Sequence, residues 1–347
     1  MINKEMTSLE RVLTSISHKE PDRVPLFLLL TMHGAKEMGV SIKEYFSRPD
    51  YVAEAQVKML KKYGHDCIYS FFYAAIEVEA WGAEVLYQED GPANSGEPFI
   101  KKREDILALE PPNVKNTPCL QKVCEAQKMI KSSVGDIVPI IGVVMSPFSL
   151  PVMQMGFQRY IELMYEEPEM FNRLMAVNEE FCVQWANTQI EAGATAICYF
   201  DPLSSQTATE QTMYMKTGYL VAKRTIPRIK GPTATHLASG RCLSRIDNIA
   251  ESGTNLISAS ILEDLSLLKQ ACQGKLTVFG NLNGIEMRRL STQETEEIVK
   301  NTIAQAGHGG GFILSDNHGE IPYQVPEEVL LTISESVRTW GRYPLQI

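Results

Sequence analysis

The chain has 347 residues, 44% of them hydrophobic and 22% charged, with a formal net charge of −9. This is the composition of a globular protein, and its acidity argues against a phosphate-backbone partner, which needs clustered Lys and Arg. No apolar run approaches the roughly 20 residues that span a bilayer, so neither nucleic acid nor a membrane is an expected partner.

The opening MINKEMTSLERVL is charged and lacks an apolar core of signal-peptide length. Seven cysteines with scattered spacing and no C-x-x-C pair read as reduced thiols. Together these features predict a cytoplasmic protein. A short N-terminal helix, SLERVLTSI, leads into a first apolar run, Val24–Leu30. A helix over Tyr51–Tyr63 precedes the second run, Asp66–Phe72. The stretch from Gly82 to Val138, with GPANSGEP and PPNVKNTP, reads as a hairpin or irregular excursion, a surface loop and a helix over Leu120–Ser132. It is an insertion after strand two and not a separate domain.

Six further runs follow: Val138–Met145, Thr195–Phe200, Pro232–Leu237, Asn255–Ala259, Leu276–Gly280 and Gly311–Ser315. Helical periodicity fills the gaps over Phe157–Ala192, Leu243–Ser252, Leu262–Cys272 and Glu294–Ala306. Continuous apolar runs suit strands covered on both faces, and their alternation with helices implies right-handed crossovers and a parallel sheet. Glycine turns recur at the helix-to-strand junctions EAGAT, ESGTN and AGHGGG. Eight such units predict a single (β/α)8 TIM barrel over residues 1–347, with an N-terminal helix and an insertion after strand two. A doubly wound open sheet is the alternative, although no G-x-G-x-x-G follows the first strand.

Barrel enzymes carry their chemistry at the carboxyl ends of the strands. Those positions hold Met32, His33, Tyr73, Met145, Ser146, Asp201, His236, Ser260, Asn281, Asn283, Asp316, Asn317 and His318, with Glu77 and Glu79 in IEVEAWG. The set is rich in groups that move protons or bind metal. It contains no activated-serine elbow, Walker A loop or H-E-x-x-H helix. Plainer roles are open to the same residues. Asp201 fits a helix N-cap, Glu77 and Glu79 fit the solvated face of an edge strand, and Phe148 and Met145 fit packing at the barrel mouth.

The order and spacing of several segments resemble the uroporphyrinogen decarboxylase superfamily, and within it the corrinoid-dependent methyltransferases, which include the methylcobalamin:coenzyme M methyltransferases. The segments are LERVLTSISHKEPDRVPLF, IEVEAWGAEV, SPFSLPVMQMGF, YEEPEMFNRLM, QIEAGATAICYFDPLSS, THLASG, GNLN and GGGFILSDNHGEIPYQVPEEV. They span nearly the whole chain, and the fold they imply is again a barrel. Two departures bear on activity. Where the family's decarboxylases carry arginines after the first strand, this chain reads LTMHGAK. Where they carry an Asp after the second strand, it reads YSFFYAA. A substrate with many carboxylates needs several bidentate Arg contacts, so porphyrinogen decarboxylation is not expected.

The methyltransferases' E-x-E-A-x-G segment matches Glu77, Glu79, Ala80 and Gly82. By position His236 matches the family's zinc histidine, while Ala238 and His318 replace its two cysteine ligands and Ser260 an acidic position. The resemblance therefore implies a methyl transfer between a small donor, of the methyl ether or methylamine type, and a corrinoid (methylcobalamin) carried by a partner protein. His318, His236, Glu79 and Asp201 are the expected catalytic groups. Tyr73, Glu77, Met145, Phe148 and Asn281 are expected against the substrate, and a zinc ion held by His236 and His318 is a further expectation. Methylation of a thiol or folate acceptor by methylcobalamin, a decarboxylase-like activity, and a non-catalytic tetrapyrrole- or corrinoid-binding barrel are the alternative readings.

Overall fold

A computed structural model describes residues 5–347, so the first four residues of the charged opening lie outside the described residues. Each of the eight apolar runs overlaps a strand, the last two strands running one or two residues past their runs: β1 Leu26–Phe27, β2 Ile68–Tyr69, β3 Ile140–Met145, β4 Ala196–Phe200, β5 Thr233–His236, β6 Leu256–Ser258, β7 Thr277–Leu282 and β8 Phe312–Asp316. They form one sheet in the order β1-β8-β7-β6-β5-β4-β3-β2, every pair parallel. Helices fill the connections, as a (β/α)8 barrel requires. The three repeated junctions turn on glycines at positive φ, with Gly193 at +118°, Gly253 at +91° and Gly309 at +75°, a region a Cβ disfavours.

No ladder joins β1 to β2 among the described residues; one residue makes that closure. The Asp66 N–H donates to the Leu26 carbonyl at 2.7 Å, and the Leu26 N–H donates to Asp66 Oδ2 at 2.8 Å. The sheet is thereby a barrel and not the open alternative. The same carboxylate accepts from Arg11 Nη1 at 2.6 Å, Arg23 Nη1 at 2.7 Å and Ser8 Oγ at 3.1 Å. Arg11 also grips Asp22 at 2.6 Å. This buried network fixes the first helix, α1 Ser8–Ile16, across the amino-terminal floor of the barrel.

Residues alternate across the strands. One set, including Phe27, Tyr69, Ile141, Cys198, Phe279 and Ile313, fills the lumen. The other packs outward beneath the helices. Three helices differ from the sequence-based expectation, the one expected over Leu243–Ser252 opening as a 3-10 turn, Leu243–Arg245, before the helix Ile246–Glu251. The stretch expected over Phe157–Ala192 is two helices, Phe157–Glu166 and Pro168–Glu191. Pro168 lacks an N–H and forces Glu167 out of helical geometry. The helix expected from Leu262 begins at Leu265, because Asp264 accepts the Leu267 N–H at 2.9 Å and so sets the N-cap. The insertion holds a hairpin (Val85–Leu86 with Asn94–Ser95), two 3-10 turns and the helix Pro118–Val134. IEVE, open to reading as an edge strand, is a short helix, Ile76–Glu79.

Removing one partner from a buried ion network leaves the others uncompensated. Asp66→Asn is expected to lower unfolding stability by about 3 kcal/mol, read from urea denaturation. A change within 0.5 kcal/mol would show that the closure does not depend on that charge.

Candidate active site

The strand register sets Met145, Phe200 and His236 side by side at the carboxyl ends of β3, β4 and β5. The Phe200 ring stacks on the His236 imidazole at 4.9 Å and 17°, and Phe279 meets it edge-on at 5.4 Å. His236 is wholly buried. Its Nδ1 accepts the Ala238 N–H at 3.0 Å, so the neutral ring carries its proton on Nε2, which has no partner. Burial, reinforced by the nearness of His318, pushes the imidazole down to about 3. His236 is therefore a neutral donor aimed into the lumen.

The segment after β8 lies across this ring. Asp316 Oδ2 accepts the N–H groups of His318 (2.7 Å) and Gly319 (3.1 Å), while Oδ1 is buried and unpartnered. Glu320 accepts from the Thr31 hydroxyl beyond β1. Burial pushes Asp316 up to about 7 and Glu320 to about 8, the Asp316 charge adding to the latter. His318 is lowered by burial, with its Nδ1 unpartnered. The Ser315 Oγ and both side-chain polar atoms of Asn317 are likewise buried without partners. Buried polar atoms are ordinarily satisfied, so this concentration at the ends of β5 and β8 marks a place that a ligand or water completes.

Gly319 is required here. Its φ is +94°, and a Cβ would stand 2.4 Å from Phe200 Cε2 and 3.2 Å from His236 Cε1. The flanking β5 loop holds Ala238 and Ser239 at φ +45° and +69°, and the Ser239 N–H donates to the Asn317 carbonyl at 2.8 Å.

The expected site residues divide into separate groups. His236 and His318 come together. Glu79 instead accepts the Tyr73 hydroxyl at 2.7 Å on the flank of β2, where Tyr73 meets Tyr87 and Phe46 edge-on. Asp201 Oδ1 takes the hydroxyls of Ser146 (2.6 Å) and Ser149 (2.7 Å), tying the β3 loop to β4, and burial raises its carboxyl. It makes no side-chain cap. Glu77 is buried, not solvated: Oε1 accepts the Met145 N–H at 2.8 Å, Oε2 has no partner, and burial pushes it up to about 8. Asn281 Nδ2 donates to the Ser260 carbonyl at 3.2 Å. Phe148 does not face the substrate region. Its ring packs outside the barrel against Tyr160 and Phe171, because the chain leaves strand geometry at Ser146 and turns before the helix Pro151–Met155.

The sequence reading gave no role to Asp316, Glu320, Tyr69 or Gly319. Asp316 stood among the strand-end residues, and Glu320 is two residues past His318 in DNHGE, a spacing that carries a side chain back to one site. Tyr69, inside an apolar run, gave no signal.

A resident zinc does not fit these residues. Among the described residues no group of three or more His, Cys, Asp or Glu side chains is placed to hold a metal. His236, with its proton on Nε2, also lacks the lone pair a ligand there must offer. All seven cysteines are buried, free thiols.

Fold and site together define a (β/α)8-barrel protein of the enzyme type, its polar groups gathered where the strands end. The family model described as uroporphyrinogen decarboxylase (URO-D) matches residues 7–340, and the chain belongs to that family. Among curated relatives, the uroporphyrinogen decarboxylase of Myxococcus xanthus is 24% identical over 96% of this chain and 97% of its own. That of Chlorobium chlorochromatii is 26% identical over 81% and 82%. Among solved structures, a methyltransferase from Methanosarcina mazei superposes with a TM-score of 0.85 at 19% identity, covering 96% of this chain and 99% of its own. A B12-independent methionine synthase from Shewanella gives 0.53 at 13%, over 86% and 89%. These structural likenesses show the fold. No helix among the described residues is long and apolar enough to cross a membrane.

Gly319→Ala is expected to push the segment off Phe200, costing about 1–3 kcal/mol. It should also open His236 to diethyl pyrocarbonate; unchanged stability and protection would refute the contact. Glu77, raised in the folded state, binds its proton more tightly there than when unfolded. Its contribution is full below the unfolded carboxyl range and is lost as pH rises toward about 8. The stability of Glu77→Gln should therefore fall less than that of the parent between pH 5 and 8.5, and parallel curves would remove Glu77 as a source of that slope.

Proposed function

We propose that this protein moves a methyl group between a small methylated donor, of the methyl ether or methylamine type, and a corrinoid protein. The observation that carries the reading is the pair of buried carboxyl groups, Asp316 with its unpartnered Oδ1 and Glu320 against Thr31, beside His236 and His318 in an aromatic-walled lumen; burial raises both carboxyls toward neutrality and lowers both imidazoles. None of these residues is a cation, so the site is poorly made for a porphyrinogen bearing many carboxylates. It is well made to protonate a leaving oxygen or nitrogen, since a carboxyl near neutrality is an efficient general acid.

The partner's corrinoid, as co-substrate, supplies the cobalt nucleophile that accepts the methyl group. This chain's residues do the rest. The His236 Nε2–H and the Asn317 amide orient the donor, Phe200 and Phe279 exclude water around the methyl carbon, and Glu320 or Asp316 delivers a proton to the departing heteroatom. The likeness to the Methanosarcina methyltransferase supports the reading at the level of fold.

The test is to incubate the protein with a reduced corrinoid protein and candidate methyl ethers and methylamines, following the Co–C absorbance. Methylation of the corrinoid is expected, falling as pH rises through about 8 because the acid must be protonated. Glu320→Gln should lower the rate roughly 10²-fold or more and remove that alkaline limb. Transfer with no donor of either type would overturn the reading, and loss of methylcobalamin with a thiol or folate would replace it with acceptor methylation.

A further inference from the structure

The opposite end of the barrel holds a second candidate site. Between the inner face of α1 and the lumen lies a cavity of about 70 Å³. Val12, Leu13 and Ile16 of α1 cover it from below, and Cys67, Ala196, Cys198 and Ala234 form its upper side. The gap has a sequence cause. A barrel lumen is ordinarily filled by layers of bulky branched side chains. Here β4 and β5 present Ala196, Cys198 and Ala234 inward, opposite a Cys67 that is equally short. Ala196 and Ala234 consequently keep accessible surface although they sit inside the barrel.

The chemistry of the walls is uniform. Aliphatic carbon surrounds the space together with the Phe27 and Phe279 rings and two prolines, the Thr195 hydroxyl already accepts the Ile140 N–H at 3.1 Å, and burial pushes the Cys198 thiol up to about 12 and Cys67 well above its ordinary range, so both thiols stay neutral. Water needs several polar partners to occupy a cavity, and an apolar one stays dry and takes small apolar guests. The charged cluster of Arg11, Asp22, Arg23 and Asp66 flanks this floor, but its members are engaged with one another. The cavity therefore offers no group to a charged or hydrogen-bonding ligand.

We propose that the floor of the barrel is a binding site for small uncharged apolar molecules of the size of a short alkane or haloalkane, separate from the strand-end site. The test uses xenon as the probe. Crystals of the full chain pressurised with xenon should show the atom between α1 and Ala196, and xenon-129 NMR should report one saturable site from which bromoethane displaces it.

Ala196→Leu, which places a larger side chain into the gap, should abolish xenon occupancy and raise Tm by a few degrees, since a filled cavity recovers lost contacts. Ala234→Val, a smaller change, should at least halve occupancy and serves if the leucine variant fails to fold. Xenon found only at the surface, or bound equally by parent and filled variants, would overturn the proposal.

Discussion

The Asp66 carboxylate is the constraint on which the barrel rests. β1 and β2 are two residues each and share no ladder, so the ring would stand open at that seam without a substitute for strand pairing. One side chain provides it, accepting the Leu26 N–H as a neighbouring strand would, while its backbone N–H returns to the Leu26 carbonyl. Because Arg11 and Arg23 neutralise the same carboxylate, closure of the ring and docking of α1 are one event. The consequence reaches the far end of the barrel. With β1 held between β2 and β8, Thr31 beyond β1 stands where it meets Glu320 beyond β8.

The two ends of the barrel handle ionisable groups in opposite ways. At the floor, buried charges are paired, and at Arg11 and Asp22 the opposite charges and their hydrogen bonds outweigh burial, raising the guanidinium and lowering the carboxyl. At the strand ends, carboxyls and imidazoles are buried without counter-ions, and burial pushes each toward its neutral form: Glu77, Asp316 and Glu320 upward, His33 and His236 downward. The first arrangement serves structure. The second keeps acids protonated near pH 7, which is the condition for proton delivery in a water-poor site.

Much of this architecture was legible in the sequence because it depends on local periodicity. The eight apolar runs, the junction glycines and the SLERVLTSI helix each follow from short-range patterns, and all appear where expected. The site was legible only in part. His236 and His318 could be found by position at strand ends, but the partners of Glu79 and Asp201 depend on tertiary neighbours: Tyr73 in one case, Ser146 and Ser149 in the other. Phe148, for which packing was equally open, lies outside the barrel because the inward-outward alternation of β3 stops at Ser146, where the chain turns. Tyr69 was invisible because an inward tyrosine in an apolar run looks like core.

The closed mouth follows from the same packing. His236 has no exposed surface, and Gly319 sits against it and Phe200, so any molecule reaching Nε2 must displace the segment after β8. That segment is tethered at its edges by polar contacts: Glu320 to Thr31, the Tyr323 carbonyl to Lys36, whose ammonium lies over the Tyr323 ring at 4.2 Å, and Gln324 to Asp90 in the insertion hairpin. The latter two lie at the surface, where such contacts are individually weak. Beneath it, Ala238 and Ser239 hold left-handed backbone conformations that cost of order 1 kcal/mol or more each. Past Glu320 the segment is anchored in the core, the Ile321 N–H donating to the Leu29 carbonyl at 3.0 Å and Ile321 and Val325 lying buried, so what must yield to a ligand is the short stretch His318–Glu320.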